Sequence, residues 1–124
     1  MKRLSLETVI TMHSELIAQT GGLDGIRDGN MLDASVNSPF HTFDGQYLYP
    51  TLQAMAAHLA FSLIKNHPFL DGNKRIGILS MLVFLEINDL SVICTDDELV
   101  SLGLGLAESS INESDLIEWI ISHS

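Results

Sequence analysis

Leu6, Val9, Ile10, His13, Leu16 and Ile17 recur at the three- and four-residue steps of a helix, and Gly21-Gly22 ends the run. A short second helix is expected after Asp28, with Met31, Leu32 and Val36 on its apolar side and Pro39 as its limit. Residues 40–50 lose the helical pattern. Asp44-Gly45 is the strongest turn signal in the chain, and with Phe43 and Tyr47 beside it a small hairpin or flap is predicted. Thr51 is placed to cap a third helix carrying Leu52, Met55, Ala56, Leu59, Ala60 and Leu63 up to Asn66, where Pro68 turns the preceding residue out of the α region. The segment from Asn73 to Ile87 is apolar on nearly every side and belongs at the centre of the fold. It should stop near Asn88-Asp89. Residues 91–94 are expected to be briefly extended, and Thr95 caps an acidic helix start at Asp96-Asp97-Glu98. A last helix, about 113–123, docks through Leu116, Ile117, Trp119, Ile120 and Ile121. No repeat, linker or low-complexity stretch divides the chain, so the expectation is one all-α domain over residues 1–124, a compact helical bundle with a buried central helix.

A domain of 124 residues buries roughly two-thirds of its unfolded surface, enough for a real core. The formal net charge is −10, and of six basic residues three, Lys65, Lys74 and Arg75, fall within one short stretch. Positive charge is rationed to that stretch. A body so acidic argues against a nucleic-acid backbone as ligand, since that binding needs many Lys and Arg contacts across a face. The single cysteine, Cys94, permits no intrachain disulfide and is expected to be a buried thiol in a reducing compartment. Lys2 and Arg3 are not followed by an apolar stretch of leader length, and the longest apolar run, 76–85, is interrupted by Gly77 and Ser80. A cytoplasmic protein without a membrane partner is the expectation.

Two of those three cations lie in His67-Pro68-Phe69-Leu70-Asp71-Gly72-Asn73-Lys74-Arg75. His67 sits at a bend between two helices, and Gly72 marks the start of the second. The unpaired N–H groups and positive dipole end of that helix form an anion site, to which Asn73, Lys74 and Arg75 add donors. Each residue alone has a structural explanation: Asp71 as a cap, His67 as a surface turn, the two cations as solvated. Caps do not need a histidine, an amide and two cations converging, and the conjunction points to a phosphate ligand. Other patches are weaker. Gly103-x-Gly105 resembles a dinucleotide loop but has Glu108 at the third glycine position and no preceding strand, so it reads as helix packing. A calcium loop over Asp24–Gly29 fails at Ile26 and Ser35. His13 and His58 lie on apolar helical faces as packing residues, and His41 is expected near a flap over the site.

Residues 67–75 resemble the signature of the Fic/Doc superfamily, His-Pro-Phe-x-Asp/Glu-Gly-Asn-Gly-Arg-x-x-Arg in its Fic branch. Lys74 replaces the second glycine and Ile78 the last arginine, which is the pattern of the Doc toxin branch. The similarity extends through His13, residues 21–28, residues 49–52 and the acidic C-terminal helix, nearly the whole chain. It implies a Fic/Doc-type bundle using ATP and Mg2+, with His67 as general base, Asp71 as metal ligand, and Gly72, Asn73, Lys74 and Arg75 holding phosphate, while Phe69 anchors the loop in the core. It further implies a toxin that moves the γ-phosphoryl group of ATP to a threonine of elongation factor Tu. AMP transfer is the alternative, and an inactive binding module is a third reading. Ser/Thr-x-x-x-Glu-Gly/Asn, the self-inhibition motif of such proteins, fails here at the last position in 11–16 and 109–114. Restraint is therefore expected from a cognate, Phd-like antitoxin whose disordered segment folds on an apolar groove.

Overall fold

Five of the six α-helices begin where a short polar side chain takes up a backbone N–H that the helix leaves unpaired. The computed structural model, which describes residues 1–124, places α1 at Leu6–Thr20, α2 at Gly29–Asn37, α3 at Leu52–Asn66, α4 at Asn73–Ile87, α5 at Asp96–Ala107 and α6 at Glu113–His123. Ser5, Asp28, Thr51, Thr95 and Asn112 cap all of them except α4. Thr95 with Glu98 and Asn112 with Asp115 close reciprocal capping boxes. The fold is all-α, as the hydrophobic pattern requires. A single turn of 3-10 helix, Ser38–Phe40, follows α2, and β1 (Thr42–Phe43) pairs antiparallel with β2 (Gln46–Tyr47). Asp44 and Gly45 both take positive φ, 53° and 77°, the conformation that a tight hairpin of this hand requires.

The antiparallel pair α3 and α4 forms the centre, and α1, α2, α5 and α6 pack around it. Gly77 allows the pair to close: a Cβ there would lie 2.7 Å from Ile64 and 3.1 Å from the Ala60 carbonyl. Met55, Leu59, Leu63, Met81, Phe84 and Leu85 fill the interior, and Leu116 and Ile120 bring α6 onto it. Gly105 lets Ile111 approach α5, which makes its place in Gly103-x-Gly105 one of packing. No helix is long and apolar enough to cross a membrane.

Residues 91–95 link α4 to α5 without pairing as a strand, and the Ile93 N–H donates to the His123 carbonyl. Two expectations are corrected. Cys94 in that stretch is half-buried, because the chain there crosses the surface. His41 is exposed at the base of the hairpin and does not line the cavity described below.

His123 fastens α6 to the start of α5. Its ring stacks on Trp119, Nδ1 lies 2.7 Å from the Trp119 carbonyl, and Nε2 lies 2.7 Å from Glu98 Oε2. Both nitrogens face acceptors, which only the protonated ring satisfies fully. The Trp119 carbonyl first, then Glu98, hold the imidazole pKa above its ordinary value, while the Thr95 N–H first, then His123, hold Glu98 below its own. A raised histidine contributes stability below its unfolded value of ~6.5 and loses it as pH rises through the folded one; a lowered carboxylate contributes above ~4.3 and loses it in acid. The contact is therefore at full strength from about pH 4.3 to about pH 6.5. Thermal melts of His123→Ala should fall below the parent in that window and converge with it in alkali; parallel profiles would contradict this.

Candidate active site

The loop between α3 and α4 reverses the chain through two left-handed residues. His67, the C-cap of α3, has φ 47° and ψ 55°, and Gly72, before α4, has φ 77° and ψ 18°. A left-handed histidine costs of order 1–2 kcal/mol and persists only where its surroundings impose it. Arg27 does so. Its guanidinium donates Nε–H to the His67 carbonyl at 2.5 Å and Nη2–H to the Asn66 carbonyl at 2.9 Å, satisfying acceptors at the end of α3. The N–H groups of Arg27 and Asp28 bond the Pro68 carbonyl at 2.8 and 3.0 Å, Ile26 pairs with Phe69 as an isolated bridge, and Leu70 N–H reaches the Gly25 carbonyl at 3.0 Å.

Phe69 anchors the loop as expected: it is 1% exposed. Asn73 is turned inward. Its Oδ1 accepts the Phe69 N–H at 3.0 Å and its Nδ2 donates to the Phe69 carbonyl at 3.1 Å, so the side chain clamps the loop closed. The same Nδ2 lies 3.4 Å from His67 Nδ1, a contact long enough to leave the exposed imidazole free to turn.

A cavity of about 460 Å³ opens at the start of α4, lined by His67, Leu70, Asp71, Gly72, Asn73, Lys74, Arg75 and Ala107. The six residues given a catalytic, metal or phosphate role by the resemblance, His67 and Asp71 to Arg75, all border it. The helix has no side-chain N-cap, so the dipole end and early amides of α4 face this hollow. Asp71 is half-buried; its Oδ1 accepts the Gly72 N–H at 2.8 Å and its Oδ2 the Leu23 N–H at 3.2 Å. These two amides, Leu23 foremost, followed by the Arg75 guanidinium and His13, hold its carboxyl below the usual range and keep it ionised. Lys74 is exposed and makes no ion pair. Arg75 donates to the Thr20 hydroxyl and, at 3.0 Å, to the Gly21 carbonyl, and its Nη2 lies 3.8 Å from Asp71. It borders the cavity while tying α4 to the end of α1.

No group of three or more His, Cys, Asp or Glu side chains converges on one point. A lone ionised carboxylate beside an open helix N-terminus suits magnesium arriving with phosphates, which keeps most of its ligands from water and substrate. Ile78 is buried on α4 and faces a second, apolar hollow of about 500 Å³ between α1, α4 and α5, with Leu16, Leu79, Leu82, Leu99 and Leu104; Lys74 and Arg75 border both hollows.

A reversed α3–α4 hairpin that carries histidine, carboxylate and cations around a helix N-terminus defines a class, and the chain belongs to the Fic/DOC family, whose model matches residues 3–85. Among individual relatives, it is 42% identical over 89 residues to "Toxin Doc" of Mycolicibacterium smegmatis (strain ATCC 700084 / mc(2)155), an alignment covering 72% of this chain and 66% of that protein. It is 28% identical over 120 residues to "Protein kinase doc" of Escherichia phage P1, covering 97% of this chain and 94% of that protein. The matched part is just under two thirds of the first relative's length.

Proposed function

We propose that this chain is a toxin of the Doc type: a phosphotransferase that moves the γ-phosphoryl group of magnesium-bound ATP to a threonine hydroxyl of a translation factor, elongation factor Tu by resemblance. The observation that carries the reading is one cavity combining an exposed imidazole, an ionised carboxylate, an uncapped helix N-terminus and two cations. Magnesium bound with ATP would offset the charge on the phosphates, and Asp71 is the residue that would hold it. Asp71 gives it a hard oxygen ligand, and Gly72 lets phosphate approach the backbone. Lys74 and the α4 amides offset charge growing on the transferred group, with Arg75 adding to the positive field. His67 accepts the proton of the incoming hydroxyl.

Two residues favour γ-phosphoryl over AMP transfer. Lys74 carries a long charged chain where AMP-transferring relatives hold glycine, and Ile78, a hydrocarbon side chain lining the apolar hollow, supplies no distal phosphate donor. The nucleotide then lies with its γ-phosphate nearest His67. The apolar hollow suits the folding segment of a cognate, Phd-like antitoxin, since it is lined by leucines and ends at two cations.

Intact-mass spectrometry of elongation factor Tu incubated with the protein, Mg2+ and ATP tests the assignment, with label placed on the γ- or the α-phosphate. An added phosphate carrying γ-label is expected. An added AMP carrying α-label overturns the assignment in favour of AMP transfer, and no modification of this factor or of any lysate protein favours a binding module.

A further inference from the structure

We propose that α1 and the α1–α2 connection form a positioning bracket for Asp71, in which His13 holds its carbonyl, the Leu23 amide holds its carboxylate, and Gly22 leaves the space that the carboxylate occupies. The inference rests on the reading that Asp71 carries the metal of a metal–nucleotide complex.

His13 sits in the middle of α1 on its apolar face, where a packing side chain is expected, yet its polar atoms are placed for another task. It is 1% exposed, its ring lies flat on Phe69 with centroids 3.7 Å apart and planes 7° apart, and its Nε2 is 2.7 Å from the Asp71 carbonyl oxygen. A carbonyl only accepts, so Nε2 carries the proton. Nδ1 faces Asp24 Oδ1 at 3.6 Å, and the Ser14 hydroxyl donates to that same oxygen at 3.1 Å. A residue needed only for packing would fill this space without a polar cost. A buried imidazole is favoured when its N–H has a fixed acceptor, and here the acceptor is 58 positions away, on the residue proposed to bind metal.

The turn after α1 completes the bracket. Gly22 has φ +117°, and a Cβ there would lie 2.6 Å from Asp71 Oδ2. The next residue, Leu23, gives that oxygen its N–H. The main chain of Asp71 is thus held by His13 and its carboxylate by Leu23, which fixes the direction in which the remaining lone pairs point. Groups that orient a metal ligand in this way typically change metal affinity by ~10–100-fold when lost.

The test is the titration of Mn2+ into the protein with a non-hydrolysable ATP analogue, following free Mn2+ by electron paramagnetic resonance, with thermal midpoints measured alongside. Asp71→Ala marks the loss of the proposed ligand. His13→Leu should raise half-saturating Mn2+ by ~10–100-fold, whereas His13→Gln, whose amide nitrogen can stand near the Nε2 position and donate, should stay within a few-fold of the parent. Gly22→Ala, at a φ of +117° that strains any side chain, should lower the midpoint and also weaken Mn2+ binding when measured at a temperature where the variant is fully folded. A merely structural role predicts that midpoints fall while Mn2+ affinity stays put. If the parent binds and Asp71→Ala does not, but His13→Leu and Gly22→Ala bind like the parent, the bracket is wrong and the metal role of Asp71 stands. If the parent shows no nucleotide-dependent Mn2+ binding, both are overturned. Should His13→Leu fail to fold, Gly22→Ala decides: parental affinity overturns the bracket and weakened affinity supports it.

Discussion

Replacing His67 with Ala should lower phosphoryl transfer by ~10²–10⁴-fold, the usual worth of a positioned general base, while the thermal midpoint stays close to that of the parent. The two halves of this expectation come from different contacts. The imidazole is exposed and touches its own loop only through the long approach to Asn73, so removing it sacrifices little packing. The left-handed backbone is held through the His67 carbonyl, which Arg27 binds whatever the side chain, and alanine bears a similar conformational cost there. Labelled-phosphate transfer and a thermal melt on the same preparation separate chemistry from folding. Transfer within a few-fold of the parent would remove His67 from the mechanism; a collapse of the midpoint would make it a structural residue.

A second substitution should have the opposite signature. Phe69→Ala is expected to destabilise the fold by about 3–5 kcal/mol, the range for deleting a buried phenyl ring, which is a large share of the ~5–15 kcal/mol that holds a domain of this kind together. Phe69 stacks on His13, shares a backbone bridge with Ile26, and has both its N–H and its carbonyl bound to the Asn73 amide. Phe69 therefore meets α1 through its ring, and the α1–α2 connection and the site loop through its backbone, at one point. Transfer should fall even under conditions where the variant remains folded, because His67 and Asp71 lie two residues to either side of the lost anchor. Phe69→Leu should retain most of both properties. Urea unfolding with a midpoint indistinguishable from the parent would show that the neighbouring side chains close the gap and that the anchor is dispensable.

What the chain disclosed in advance follows from the range over which each feature is written. Thr51, Asp28 and Thr95 announce helix starts because a cap and its amide partner lie three residues apart. Asp44-Gly45 announces the hairpin because only its own two backbone conformations decide the turn. The nine-residue segment 67–75 gathers its polar side chains around one helix end, so their meeting in one cavity was legible as well. Arg27 was not: its bonds to Asn66 and His67 span 39 and 40 positions, and nothing local distinguishes it from a solvated arginine. His13 was legible as a buried ring and not as a donor to Asp71, for the same reason. Asn73 offered an amide whose direction the order of residues does not encode, and the Phe69 backbone, four positions earlier, claimed it. Cys94 misled because nothing local tells whether a short link between two helices turns inward or, as here, crosses the surface.

The loop that carries the chemistry is the turn of an α3–α4 hairpin, whose contacts are near in sequence and form early in the folding of helical proteins. The contacts that shape this loop come instead from residues 13–28, between 39 and 58 positions away where they reach it through side chains. Scaffold and site thereby rest on different sets of contacts. A chain frayed at its beginning can own the central helix pair and still lack a set turn, because the first quarter of the sequence acts as the latch that makes the turn competent.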